Sequence, residues 1–106
     1  MRERDYQAKL IRILKREYPG IIVLKNDPNY LQGVPDLLLL YNNKWAALEV
    51  KLHAKAGVRP NQRHYVDKMN EMSFSAFIYP ENEDEVLNAL QRSFRTARPT
   101  RVSKPQ

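Results

Sequence analysis

Three side chains near the middle of the chain have the types and spacing to do chemistry together: Asp36, Glu49 and Lys51. Asp36 opens an apolar run that ends at Tyr41, and Glu49 and Lys51 lie near the end of a second run, Lys44 to Leu52. Between the runs stands Asn42-Asn43, whose side chains tolerate the positive φ of tight turns, so an antiparallel hairpin is predicted. A two-residue turn pairs Tyr41 with Lys44, and counting back along both strands sets Asp36 opposite Glu49. Opposite residues point to one side of a sheet with β-carbons roughly 4.5 to 5.5 Å apart. Period-two alternation puts Lys51 on that side too, beside Glu49.

Two carboxylates that close in an apolar sheet repel each other, and burial penalises each charge. A cation has to compensate. Lys51 can do part of this as an ion-pair partner, which is the purely structural alternative. One ammonium balances one carboxylate, whereas a divalent cation bridging both balances the pair, and the spacing favours that reading. Oxygen donors suit Mg²⁺ or Mn²⁺, which keep water in their shell and accept a phosphate oxygen. With no Cys in the chain, thiolate metal sites, disulfides and cysteine nucleophiles are excluded. No Ser/His/Asp set, Walker-type loop or GxGxxG is present, and His53 and His64 are expected to be exposed or in contact with phosphate.

The elements around this hairpin follow from apolar spacing and turn formers. From Glu3 to Tyr18, Tyr6, Leu10, Ile11, Ile13, Leu14 and Tyr18 keep helical spacing until Pro19-Gly20. Ile21 to Lys25 reads as a strand, and Asn26 to Gly33 as a loop. Pro60 suits a first helical position, with Tyr65, Val66, Met69 and Met72 on one face. Phe74 to Tyr79 is a short strand. Asn82 through Glu85 reads as an N-cap, with Val86, Leu87, Leu90 and Phe94 continuing a last helix. The order α-β-β-β-α-β-α gives an α/β fold with a mixed sheet flanked by helices. Leu38, Leu40, Trp45 and Ala47 share the acids' side of the hairpin, Leu37, Leu39, Ala46, Leu48 and Val50 the other, and both sides are expected to be buried.

At 106 residues the chain is sized for one domain, read as residues 1–91 followed by a basic tail, 92–106. The net charge of +6 lies in that tail: removing its five bases from the 18 leaves 13 against 12 acids. Such a tail either solubilises the protein or holds polyanions by counterion release, and composition does not choose between them. No apolar run approaches the roughly 18 residues of a membrane span. The opening residues, MRERDYQAKL, lack the apolar stretch of a secretory leader, so a cytoplasmic setting is expected.

Gly33-Val34-Pro35-Asp36, followed after the Asn-Asn turn by Glu49-Val50-Lys51, resembles the PD-(D/E)XK nuclease pattern. With Pro60-Asn61-Gln62 downstream, the chain is most similar to the virus-type replication-repair (VRR-Nuc) group and, more distantly, to archaeal Holliday junction resolvases. The resemblance runs from about Glu3 to Tyr79. It implies a restriction-endonuclease-like core and metal-dependent hydrolysis of DNA, selective for branched or junction structures, in recombination, repair or phage replication. Asp36 and Glu49 would ligate the metal, with the Val50 carbonyl as a further ligand, and Lys51 would orient water or stabilise charge. The resemblance makes Gln62 a supporting residue; its spacing alone more often marks a boundary position. Glu3 would complete the site, the alternative being an exposed first-turn acid that complements the helix dipole; Glu17 is second choice. Lys55, Arg59 and Arg63 would touch phosphates. The implied setting is a bacterial cell or phage-infected host, with two copies acting as a homodimer. The competing reading is a non-catalytic nucleic-acid-binding module that uses the basic tail. RNA stays open beside DNA, since nothing in the chain reads a 2′-hydroxyl.

Overall fold

The computed structural model describes residues 1–95 of the chain. Helix α1 (Glu3–Glu17) forms where Tyr6, Leu10 and Leu14 recur on one face, and these are its buried side chains. Four strands follow, β1 (Ile22–Lys25), β2 (Leu37–Tyr41), β3 (Lys44–Val50) and β4 (Phe74–Ile78), side by side in that order. The first three are antiparallel and β4 is parallel to β3. A parallel neighbour requires a crossover, and helix α2 (Pro60–Met72) supplies it. Helix α3 (Glu83–Arg95) closes the described chain after a 3₁₀ turn at Pro80–Asn82. The expected mixed sheet flanked by helices is the observed architecture.

The hairpin register is the expected one, Tyr41 opposite Lys44 and Leu37 opposite Leu48. Asn42 takes φ 56° and is the only described non-glycine residue with positive φ, as a turn of the II′ kind requires at its first position. One face of the sheet is sealed. Leu37, Leu39, Ala46, Leu48, Val50 and Ile78 have no exposure and pack against Tyr6, Leu10 and Leu14 of α1 and Val86, Leu90 and Phe94 of α3. Near the hairpin turn the rings of Tyr18, Tyr41 and Phe94 meet with centroids 5.1 to 5.4 Å apart.

The opposite face departs from expectation. It was expected to be buried throughout, but α2 lies mainly over β3 and β4, the pair it connects. Val66 is buried beneath it, while Ile22 and Leu24 on β1 are 53% and 44% exposed and Leu38, Leu40 and Trp45 are half-buried. Met72, expected on the packed face of α2, is exposed at its end.

Two further corrections concern the last helix. Asn82 does not cap it forwards; its side chain turns back, accepting from Tyr79 N at 2.9 Å and donating to the Phe77 carbonyl at 3.1 Å. The helix also runs past residue 91, taking Arg92 and Arg95 out of the expected tail. The remaining tail bases, Arg98, Arg101 and Lys104, lie outside the described residues.

Candidate active site

The site forms where β2 and β3 part. Pro35 has no N–H to extend the ladder, and its carbonyl accepts from Asn26 Nδ2 at 2.7 Å while Asn26 N donates to the Asp36 carbonyl at 2.9 Å. Beyond Leu37 and Leu48, side chains replace the ladder. Asp36 N donates to Glu49 Oε1 at 3.1 Å, and Val50 N donates to Asp36 Oδ2 at 2.9 Å. Each carboxylate thus grips the backbone of the other strand, which fixes the two acids side by side.

Gln62 joins the rest of the group. Its Nε2 donates to Glu49 Oε2 at 3.0 Å, and its Oε1 accepts from Lys51 Nζ and from Arg59 N, each at 3.0 Å. The bond from Arg59 N ties the amide to the start of α2, so a helix terminus sets the orientation that holds Lys51. Lys51 Nζ stands 3.8 Å from Glu49 Oε2, a longer contact than its bond to Gln62.

Electrostatics follow from burial. Glu49 is 3% exposed, and its pKa is pushed up to about 7, first by burial and then by the Asp36 charge, with Lys51 and the Asp36 N–H pulling the other way. Asp36 is also raised by burial, opposed by the Val50 N–H and by Lys51. Glu3 is exposed on the first turn of α1, yet partial burial and the Asp36 charge raise it while Lys51 lowers it. It therefore senses the acidic pair from outside the hydrogen-bonded group.

Among the described residues no group of three or more Asp, Glu, His or Cys stands close enough to hold a metal ion together. Asp36 and Glu49 form a two-carboxylate set. All-oxygen donors with a buried acid whose charge lacks full compensation fit Mg²⁺ or Mn²⁺, ions that take one or two carboxylates and otherwise keep water and phosphate oxygens. They do not fit an all-protein cage of the kind calcium takes.

A cavity of about 230 Å³ opens on the acids, lined also by Gly33, Arg59, Asn61 and Gln62. Gly33 has φ 91°, and a Cβ there would come within 2.7 Å of the Asn61 side chain, so no other residue lets the 26–34 loop lean this closely on α2. Asn61 Oδ1 is buried in this wall without a hydrogen-bond partner.

Of the residues singled out from sequence, Asp36, Glu49, Lys51 and Gln62 come together. Val50 contributes its N–H, as described, and its side chain is fully buried on the sealed face. Arg59 lines the cavity, whereas Arg63 lays its guanidinium 4.5 Å over the Phe77 ring and pairs with Asp67 at 3.8 Å. Lys55 is exposed on the turn before α2, outside the lining of the cavity. His53 and His64 are exposed. Sequence reasoning missed Asn61, Phe77 and Tyr79. Alternation along Phe74 to Tyr79 would have placed Phe77 and Tyr79 together, but only the β3–β4 register, Glu49 opposite Phe77, shows which face they share.

No family model matches the chain, and neither a curated protein nor a solved structure matches it.

Proposed function

We propose that this protein is a divalent-metal-dependent nuclease of the PD-(D/E)XK kind that hydrolyses phosphodiester bonds in DNA, with branched or junction DNA as its preferred substrate. One observation carries the reading: two carboxylates, Glu49 buried and Asp36 half-buried, converge from neighbouring strands with an ammonium beside them, and a single amide, Gln62, ties the Lys51 and Glu49 side chains to α2. A structural salt bridge has no use for the second acid, whose charge adds to the effect of burial in raising the Glu49 pKa to about 7.

Asp36 and Glu49 would hold the ion, with Glu3 near enough to add charge. A divalent ion bound there lowers the pKa of a water and neutralises phosphate charge. Lys51 supplies a fixed positive charge where negative charge develops on the phosphate, in a half-buried position where it is felt strongly. Gln62 orients Lys51 and Glu49, and Arg59, at the cavity mouth, meets the phosphate backbone without reading sequence.

The test incubates the full chain with Mg²⁺ or Mn²⁺ and linear, flapped and four-way DNA, alongside Glu49→Ala. Metal-dependent cleavage by the parent and none by the variant is expected. Equal cleavage by the variant contradicts the assignment. Binding without cleavage under either metal points to the non-catalytic nucleic-acid-binding module instead.

A further inference from the structure

A second cavity, of about 310 Å³, is lined by Lys51, whose hydrogen-bond partner Gln62 lines the first. Lys51, His53, Arg63, Phe77, Tyr79 and Asn82 line it, and no acid does. The sheet builds its floor. Phe77 stands opposite Glu49 in the parallel register, and the pairing continues through Lys51 N, which donates to the Ile78 carbonyl at 2.9 Å. By alternation Lys51 and Tyr79 form the next row on the same face. The backward bonds of Asn82 to Tyr79 N and the Phe77 carbonyl fix the chain where both rings emerge. On the other side, Arg63 on the first turn of α2 covers Phe77 with its guanidinium. Ala54 N donates to Glu81 at 3.2 Å and holds the outer wall.

Cationic tips around aromatic rings are what single-stranded nucleic acid is bound by, with rings for the bases and charge for the backbone. The volume is at the small end of ligand pockets, about 300 to 1,000 Å³, and suits one base-sized group. A base still stacked in a duplex cannot enter it. We infer that this cavity takes one unpaired nucleotide flanking the phosphate held at Asp36 and Glu49, its base against Tyr79 and the Arg63–Phe77 stack and its outer phosphate toward His53. The inference rests on the nuclease reading for the position of that phosphate, and it makes an unpaired nucleotide beside the cleaved bond the feature that selects branched substrates.

The experiment measures binding of the full chain, in Ca²⁺, to a fluorescent duplex carrying an unpaired flap and to the matching continuous duplex. The parent is expected to prefer the flap. Tyr79→Leu is expected to lose about 5- to 150-fold of flap affinity, the range for one stacked base, and to keep its affinity for the continuous duplex. Tyr79→Phe keeps the ring and the preference. Arg63→Gln, at an exposed position, is a second probe and is expected to lower the preference too. Equal affinity of the parent for both duplexes, or unchanged preference in both Tyr79→Leu and Arg63→Gln, overturns the inference. Displacement of flap DNA by polyglutamate at matching charge concentration, dependent on Tyr79, overturns it in favour of an acidic peptide. Metal-dependent nicking that is lost in Glu49→Gln but indifferent to Tyr79 sinks this inference and leaves the nuclease reading standing; a Tyr79-dependent preference with no nicking does the reverse.

Discussion

The two faces of one hairpin, built from alternate residues of the same two strands, have opposite characters. Leu37, Leu39, Ala46, Leu48 and Val50 are sealed between the sheet and helices α1 and α3. Their neighbours Asp36, Leu38, Leu40, Glu49 and Lys51 lie on the opposite face, where α2 covers β3 and β4 and leaves the rest of the sheet open. The contrast teaches that side-chain parity separates the apolar core from the acidic pair. The sealed face supplies apolar burial, and the half-covered face carries the two acids where a cavity opens on them.

The largest expected effect tests the sealed side. Leu48→Ala should cost about 2 to 5 kcal/mol of unfolding free energy in urea, the range for a buried leucine, and Leu38→Ala less than half as much. Equal costs would erase the difference between the faces. Next, Lys51→Ala should slow metal-dependent cleavage on the order of 100-fold or more, with a urea midpoint close to that of the parent. A loss of folding in step with activity would instead make Lys51 a structural ion pair.

A pH comparison sharpens the point. Glu49 titrates near 7 in the folded chain against 4.5 for an unperturbed glutamate, so between those values the unfolded chain gives up its proton first. Metal-free stability should therefore fall as pH rises from about 4.5 to 7 and level off above, by about 3 kcal/mol at most. Glu49→Gln removes that penalty and weakens the bond from Gln62, worth about 1 kcal/mol. In EDTA the variant should be more stable than the parent at pH 8 and no more stable at pH 4. Parallel pH profiles for the two would contradict the crowded-acid account.

The smallest effect concerns Gln62. Gln62→Ala keeps both carboxylates but removes the bonds Gln62 makes to Glu49 and Lys51, and should weaken Mg²⁺ binding by about 10-fold, as losing a ligand-orienting partner commonly does. The magnesium dependence of the melting temperature reports it, and an unchanged dependence would reduce Gln62 to a helix cap.

Much of the site was legible because it is local. Asn42-Asn43 fixes the register, the register fixes Asp36 against Glu49, and alternation adds Lys51, all within sixteen residues, 36 to 51. Gln62 was legible in part, through the Pro60-Asn61-Gln62 resemblance at the start of a helix. What escaped depends on pairing across distance. The parallel match of β3 to β4 spans the whole of α2, so nothing local revealed that Phe77 stands next to Glu49 or that Tyr79 continues the row. The open face escaped because apolar alternation reads the same with or without a helix above it. Asn82 spelled a cap, and its amide instead found unpaired backbone groups at the end of β4.

A magnesium titration of DNA cleavage by the parent, Asp36→Asn and Glu49→Gln, with the melting temperature followed in parallel, tests the shared-ion claim most directly. Cleavage and a magnesium-induced rise in melting temperature should appear together in the parent and be lost in both variants. Parent-like cleavage in either variant, or a melting temperature that rises equally in all three, would contradict it.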